Sequence, residues 1–297
     1  MRTSSLTTSN RLIDQLTRLS DRQIALQNRI ATGQRVTSPG DDPAAVGRIL
    51  ANQMEQTQVS RYQDNASRAL EHSEAVYSTL SDLKAISDRA GELATLGAGA
   101  TSTDAMTAYA VELDELIQQA VDLANTRFGG DYLLAGTAVD TAPFTAATDA
   151  DGALTGVTYT GNSDRISIAL SATSAISPGT SGETNQAVAA FINRLVGLRD
   201  TLETGDTTAV NDLRPGLEES EDMFVNALSS QGAIQTRIEA AQTQLQSRQD
   251  QLTGRISADA DADVTSTYVS LTTATAAYEA ALTSSSAIIG RSLLDYL

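Results

Sequence analysis

Residues 12–30 have the sequence LIDQLTRLSDRQIALQNRI, and this stretch decides the fold. Its seam positions recur at alternating intervals of four and three residues, which is the spacing of a coiled coil. These positions are Leu12, Leu16, Leu19, Gln23, Leu26 and Ile30. Gln23 is polar, and a polar seam residue helps to fix the register of paired helices. The stretch therefore predicts a helix that packs along one narrow line.

The helical pattern stops at Gly33, and a turn with the sequence SPGDDP follows at residues 38–43. Asp42 is placed to cap a new helix, with Pro43 at its first position. From about Ala44 to Leu96 the same spacing resumes. At about 1.5 Å per residue, this second helix would be roughly 80 Å long. The sequence thus predicts a helix, a tight break and a long helix.

The pattern changes after a third helix, which starts beyond Asp104 and is expected to end near residues 128–130, Phe-Gly-Gly. Residues 131–183 contain short strand-like runs separated by Gly, Asn and Pro, which indicate a small β-rich insertion. Helical spacing then resumes. It is interrupted at Gly205-Asp206 and again from Ser257 to Asp263 before a last helix.

The order of elements is mirror-like about the insertion. The predicted fold class is therefore mainly α: a long antiparallel helical bundle or coiled coil formed by both chain ends, with a small central β-rich insertion. We expect residues 1–43 and 257–297 to form a terminal helical assembly domain. Residues 44–130 and 184–256 would form a long-helix bundle domain, and residues 131–183 a β-rich outer domain.

The two terminal helices have apolar seams too narrow to bury themselves, so each needs a partner in the same chain or in a neighbouring copy. We favour neighbouring copies, because both helices lie beyond the breaks. For the long middle helices an ordinary bundle suffices. The predicted assembly interface comprises Leu12, Leu16, Leu19, Leu26, Ile30, Val264, Tyr268, Leu271, Tyr278, Leu282 and Ile289.

The charge and composition of the chain exclude several classes of function. The formal net charge is −17 and Lys84 is the only lysine, so no basic surface for nucleic acid or anionic lipid is expected. No apolar stretch is long enough to span a membrane, and the first ten residues lack the apolar core of a secretory signal. With no cysteine and one histidine, Cys/His zinc sites and thiol catalysis are excluded.

Three features could be mistaken for chemical sites. The run Asp259-Ala260-Asp261-Ala262-Asp263 opens like a calcium loop, but it lacks the Gly and the Glu that such a loop needs, and a turn with a helix cap is favoured. His72 is expected to be a surface residue, and the acidic run at residues 218–222 a solvated helix face. No catalytic residue, metal site or cofactor is predicted.

Residues 30–36, IATGQRV, followed by residues 38–44, SPGDDPA, resemble the signature of the flagellin and hook-associated protein superfamily. Three further stretches resemble the hook-filament junction family within it. They are residues 132–137, YLLAGT, with TAPF at 141–144; residues 159–162, YTGN; and the ending SLLDYL at 292–297. Asn162 replaces the more usual Asp, and residues 177–183 match the family weakly.

The resemblance implies a structural subunit of the bacterial flagellum that joins hook to filament outside the cell. It implies export, unfolded, by the flagellar type III system. The implied partners are copies of the chain itself, a neighbouring hook-associated protein, flagellin and an export chaperone, without nucleic acid, membrane insertion or cofactor. Terminal segments that stay disordered until assembly would prevent premature polymerisation.

Other functions remain open at the level of sequence. A filament flagellin would form long filaments from purified protein, whereas a junction subunit would form a limited ring with hook and filament partners. An extracellular enzyme on a flagellin scaffold would need a catalytic constellation, which we do not find in the sequence. A soluble coiled-coil adaptor would form a stable oligomer with ordered ends in dilute solution.

Overall fold

The computed structural model describes residues 2–150 and 152–294, with side-chain surroundings for 10–150 and 152–286. This part of the chain forms six helices and three short antiparallel strand pairs. The helices are α1 (Arg2–Thr32), α2 (Pro43–Ala98), α3 (Thr103–Ala124), α4 (Gly182–Thr204), α5 (Thr207–Ala260) and α6 (Val264–Leu294). The strands are β1 (Arg127–Phe128), β2 (Asp131–Tyr132), β3 (Phe144–Thr148), β4 (Leu154–Tyr159), β5 (Ile168–Ala169) and β6 (Ala175–Ile176).

The predicted fold class is confirmed: the chain is mainly α, with paired terminal helices and small strand pairs in the middle. The first break also forms as predicted. The Asp42 carboxylate accepts a hydrogen bond from the backbone N–H of Ala45 at 3.0 Å, and α2 begins at Pro43. Gly205 ends α4 in the left-handed conformation, with φ of 75°, where the sequence predicts a break.

Two predicted boundaries were wrong. The third helix ends at Ala124 rather than near residues 128–130, because Gly129 and Gly130 take positive φ angles in the turn between β1 and β2. The last break is shorter than predicted, since α5 continues to Ala260. There the carboxylate of Asp259 contacts Arg48 of α2, so a residue expected in a turn contributes to helix packing.

The chain divides into two compact units. Met1–Gln58 and Arg248–Leu297 form one, called here the terminal unit, and Val59–Ser247 form the other, called the central unit. The divisions fall inside α2 and α5, so each long helix contributes to both units. The three-part division expected from the sequence stays a prediction.

The central unit contains the hydrophobic core. The largest fully buried side chains in the described chain all lie there, and they come from α2, α3, α4, α5 and the segment after β2. Phe191 and Phe224 meet edge to face, with ring centroids 5.0 Å apart. The buried Gln231 amide donates to the Ser73 hydroxyl and to the Pro178 carbonyl, both at 2.6 Å. Apolar packing and a satisfied polar contact thus hold this unit together.

Two asparagines attach the β3–β4 hairpin to helices of the central unit. Asn193 of α4 donates to the Val157 carbonyl at 2.9 Å and accepts from its N–H at 2.7 Å. Asn125, which ends α3, makes the same pair of bonds with the backbone of Phe144. Because an amide side chain carries both a donor and an acceptor, it can act as an extra strand residue.

The terminal unit is built from antiparallel helix pairs. α1 packs against α6, and the end of α1 lies beside the start of α6 because Gln34 pairs with Asp261. α2 and α5 also run antiparallel, since Arg48 contacts Asp259 and Glu55 contacts Arg248. The described part of this unit has only four buried apolar residues, and two are alanines: Leu26, Ala45, Leu252 and Ala274.

Candidate assembly surface

The predicted seam of α1 faces α6. Leu26 is 8% exposed, and the remaining leucines of the seam and Ile30 are half-buried. The Gln23 amide donates to the Thr275 hydroxyl of α6 at 2.9 Å. The polar seam residue therefore makes a cross-helix bond, which suits its predicted part in fixing register. The four-and-three spacing places these side chains on one side of α1, toward a partner helix in the same chain.

The predicted interface residues of α6 form a stripe along the helix, and the structure divides this stripe between two sides of the helix. Leu271 and Tyr278 are half-buried and lie on the side that packs on α1, with the buried residues Thr267, Ala274 and Ser285. By contrast, three predicted residues face solvent with about half of their surface exposed: Val264 at 50%, Tyr268 at 60% and Leu282 at 51%. Ile289 lies outside the described side chains.

The exposed members of this stripe follow one line along α6. Val264 and Tyr268 are one turn apart, and Leu282 lies five turns beyond Val264, so all three point to a similar side of the helix. This line, called here the outer line, flanks the contact with α1. Because the outer line does not face α1, its three large side chains remain available to another molecule.

Five more large apolar side chains of the terminal unit are exposed and were not predicted. They are Ile13 at 57% and Ile24 at 53% on α1, Leu50 at 54% and Met54 at 70% on α2, and Val269 at 60% on α6. Each pair lies on one side of its helix, since the members are three turns and one turn apart. Apolar residues just off the seam are the sequence signal that could have identified them.

The two chain breaks pair with each other, which the sequence did not reveal. Gln34 and Asp261 form an isolated antiparallel bridge, and Ala262 donates its N–H to the Gly33 carbonyl at 2.8 Å. Arg35 donates from its backbone N–H to the Ala260 carbonyl at 2.7 Å. Residues 33–36 and 260–262, called here the clasp, thus tie the end of α1 to the start of α6.

Ion pairs surround the clasp. Arg35 contacts the Asp42 carboxylate at 3.2 Å and donates to the Asp259 carbonyl at 2.7 Å. Arg48 makes a two-pronged contact with the Asp259 carboxylate, at 2.5 and 3.1 Å. The Arg48 hydrogen bonds lower the pKa of Asp259, and the backbone N–H of Ala45, together with Arg35, lowers that of Asp42. Both carboxyls therefore stay ionised at neutral pH.

The distribution of charge differs sharply between the units. The terminal unit has ten Lys and Arg against eleven Asp and Glu, whereas the central unit has ten against twenty-six. Nearly all of the net charge of −17 thus belongs to the central unit. A nearly neutral unit can pack against its own copies without strong repulsion, whereas a strongly acidic one favours solvent.

The Asp-rich run at residues 259–263 takes part in helix packing and capping. Asp263 caps α6 by accepting from the N–H of Thr265 at 3.0 Å. Within residues 2–150 and 152–294, no group of three or more His, Asp or Glu side chains could hold a metal ion. Nor does any helix in that part of the chain combine the length and apolar character needed to cross a bilayer.

The prediction that His72 is a surface residue was wrong. The ring is half-buried and lies edge-on to Phe128, with centroids 6.4 Å apart. Its Nδ1 atom is buried and has no hydrogen-bond partner among the described residues. Burial lowers the pKa of His72, and the nearby Asp131 only partly offsets this. Phe128 of β1 thus lies against a helix position that the sequence suggested would face solvent.

Comparisons with known proteins agree with this fold. Residues 3–139 match the bacterial flagellin N-terminal helical region. The chain is 33% identical over 125 residues to flagellar hook-associated protein 3 of Salmonella typhimurium, covering 41% of this chain and 39% of that protein. The corresponding Escherichia coli protein is 32% identical over 118 residues, covering 39% and 37%. The match thus spans about two-fifths of the length of these curated relatives.

Solved structures of related fold match this chain over nearly their whole length. FlgL of Bacillus cereus has a TM-score of 0.61 at 20% identity, with 70% of this chain and 99% of that one covered. A flagellar hook-associated protein structure from Vibrio parahaemolyticus has a TM-score of 0.66 at 16% identity, with 74% and 99% covered. At these identities the likeness concerns the fold.

The chain is therefore similar, over residues 3–139, to the N-terminal helical region of bacterial flagellins. It is also similar in sequence to flagellar hook-associated protein 3, and it has the fold of the FlgL structures. The resemblance to the hook-filament junction family is confirmed.

Proposed function

We propose that this chain is a structural subunit of the bacterial flagellum that joins hook to filament by self-assembly of its terminal unit. The names of its sequence relatives, flagellar hook-associated protein 3, support the place in the flagellum. The proposal includes no catalytic step, since all of its elements are contacts between helices. Its location would be extracellular, on the flagellum.

One observation carries the proposal: the terminal unit exposes more large apolar side chains than the central unit and has almost no net charge. Eight of the exposed large apolar residues in the described chain belong to its 108 residues, against five in the 189 residues of the central unit. Apolar surface of this kind on a soluble chain marks a place where another molecule binds. Burying this apolar surface against another molecule would stabilise the contact by about 25 cal/mol per Å².

The exposed positions suggest how the contacts are divided. Within one subunit, the α1 seam and the Leu271 side of α6 hold the terminal helices together. Between subunits, the outer line of α6 would pack against neighbouring copies, with Ile13, Ile24, Leu50 and Met54 as further contacts. In this proposal the terminal domain, residues 1–43 and 257–297, forms an inner tube. Residues 44–130 and 184–256 form an outer layer, and residues 131–183 face solvent.

The remaining partners also belong to the proposal. Copies of the chain would contact one another, a neighbouring hook-associated protein would lie on the hook side, and flagellin on the filament side. The chain would be exported unfolded by the flagellar type III system with the help of a chaperone. Absence of cysteine suits such a route, because an unfolded chain without thiols cannot mispair.

Filament flagellin is the second candidate, and the match of residues 3–139 to the flagellin N-terminal region supports it. The two candidates differ in what the purified chain does alone. A flagellin forms long filaments without other components. A junction subunit forms a short ring and only in contact with hook and filament ends, so electron microscopy of the purified chain separates them.

Antibody labelling of intact flagella, combined with deletion of the gene, tests the proposed function. We expect label at a single short zone between hook and filament, and we expect the deletion strain to keep its hooks and to release filament protein into the medium. Label along the whole filament would instead identify a flagellin. Absence of label from flagella would contradict both candidates.

A further inference from the structure

Four arginines form a straight line on α1. Arg11, Arg18, Arg22 and Arg29 are separated by seven, four and seven residues, so they lie within a narrow angular range on one side of the helix. Arg11, Arg18 and Arg22 are exposed, and Arg29 is half-buried. This line, called here the arginine ladder, is separate from the seam that faces α6 and from Ile13 and Ile24.

The ladder makes no ion pair in the described part of the chain. Within residues 2–150 and 152–294, none of its four guanidinium groups lies within 4.0 Å of a carboxylate, although Arg35, Arg48 and Arg248 of the same unit all form ion pairs. The ladder can therefore pair with carboxylates of another molecule.

The same helix carries a line of carboxylates with a matching repeat. Asp14 and Asp21 are seven residues apart, and both are exposed. In the described part of the chain, neither forms an ion pair with Lys, Arg or His. They lie on the side of α1 opposite the seam, next to the ladder. α1 therefore presents positive and negative lines side by side, both outside the seam that packs on α6.

We propose that α1 helices of adjacent copies lie parallel and side by side, with the arginine ladder of one copy against Asp14 and Asp21 of the next. This rests on the proposed function, because it requires that copies assemble around an axis. Copies related by rotation about an axis along the helices keep those helices parallel, and contact between two different faces of each copy builds a ring or a helix. The chemistry is that of Arg–carboxylate pairs between identical subunits.

The spacing of the charges restricts the axial offset between neighbours. A shift of three residues, about 4.5 Å along the axis, places Arg11 level with Asp14 and Arg18 level with Asp21 of the next copy. A shift of eight residues in the opposite direction, about 12 Å, places Arg22 level with Asp14 and Arg29 level with Asp21. Other offsets match fewer pairs. The charges would therefore select the stagger of neighbouring copies, while apolar contacts provide most of the stabilisation.

A charge exchange tests this inference in the producing bacterium. Arg18→Asp with Arg22→Asp puts carboxylates opposite carboxylates at either offset, and Asp14→Arg with Asp21→Arg puts cations opposite cations. We expect each double variant alone to lose incorporation into flagella. The two expressed together should recover part of it, because the unchanged arginines of the second variant can pair with Asp14 and Asp21 of the first. Arg255→Asp is the matched control, because Arg255 is exposed on α5 outside the ladder. We expect it to incorporate normally.

Disulfide trapping reads the contact directly, since the chain has no native cysteine. Differently tagged copies with Arg18→Cys and Asp21→Cys report the smaller offset, and copies with Arg22→Cys and Asp14→Cys the larger. We expect linked heterodimers from at least one of these two mixtures in assembled flagella. A mixture of Arg255→Cys with Asp21→Cys should give none.

The outcomes separate this inference from the proposed function. If the wild-type chain is absent from flagella, the proposed function fails and this inference fails with it. If the wild type is incorporated but both double variants are incorporated equally well, only the ladder contact is overturned. If flagella assemble from the cysteine variants but contain neither heterodimer, the ladder contact is also overturned. The same holds if the two charge variants expressed together recover no incorporation.

Discussion

The terminal and central units solve the problem of helix packing in opposite ways. The central unit buries large side chains such as Phe191, Phe224 and Leu80. It has twenty-six Asp and Glu against ten Lys and Arg. The terminal unit buries little, exposes Tyr268, Met54 and other apolar residues, and is nearly neutral. The comparison suggests that the central unit is stable alone, whereas the terminal unit reaches its full burial only among copies.

The largest effect on stability is expected from the core of the central unit. Phe224→Ala removes one ring of the Phe191–Phe224 pair and leaves a cavity, so we expect a loss of about 3–5 kcal/mol in the free energy of unfolding. Denaturant unfolding followed by circular dichroism measures it. Met54→Ala, at an exposed position of the terminal unit, serves as the control and should change the free energy little. Equal effects would remove the distinction between the units.

Proteolysis should reveal the weak burial of the terminal unit. In dilute monomeric protein we expect cleavage within the first 30 or so and the last 35 or so residues before any cleavage in the central unit, because a helix pair with few buried side chains opens easily. Mass spectrometry of the early fragments identifies the sites. If both ends of a monomeric sample are as resistant as α3 and α4, the terminal unit is stable by itself.

Acid should loosen the clasp. The pKa values of Asp42 and Asp259 lie below the ordinary 3.8 in the folded chain, so their contribution to stability is present above that pH and is lost as pH falls through the lower folded values. We therefore expect faster amide exchange in residues 33–36 and 260–262 below about pH 4. In the Arg48→Ala variant, the pKa of Asp259 should rise toward its ordinary value, and this carboxylate should then be protonated at a higher pH. Exchange that is independent of pH, after correction for intrinsic rates, would contradict it.

Periodicity predicted most of the helices because each seam is a local pattern along the chain. The clasp was not predictable, since it joins Gln34 to Asp261 across most of the sequence. The division of the α6 stripe was missed for another reason. The predicted interface consisted of large apolar residues, whereas α6 packs on α1 partly through Thr267, Ala274 and Ser285. Small residues permit close approach of helices but carry little signal in a hydrophobic pattern.

The central claim is that the outer line of α6 serves contacts between copies, and Leu282→Asp tests it most directly. Leu282 is 51% exposed in the subunit, so the variant should unfold at nearly the wild-type temperature. In an assembled contact the new charge would be buried without a partner, at a cost of several kcal/mol. Val111→Asp, at a position 62% exposed in the central unit, is the matched control.

The measurement is the amount of each variant on purified flagella, together with its thermal unfolding as a monomer. We predict that Leu282→Asp is folded and exported but absent from the hook-filament junction, with filament protein released into the medium, whereas Val111→Asp gives normal flagella. Normal flagella with Leu282→Asp would contradict the claim that this line drives assembly. A grossly unfolded monomer would show that Leu282 belongs to the subunit core instead.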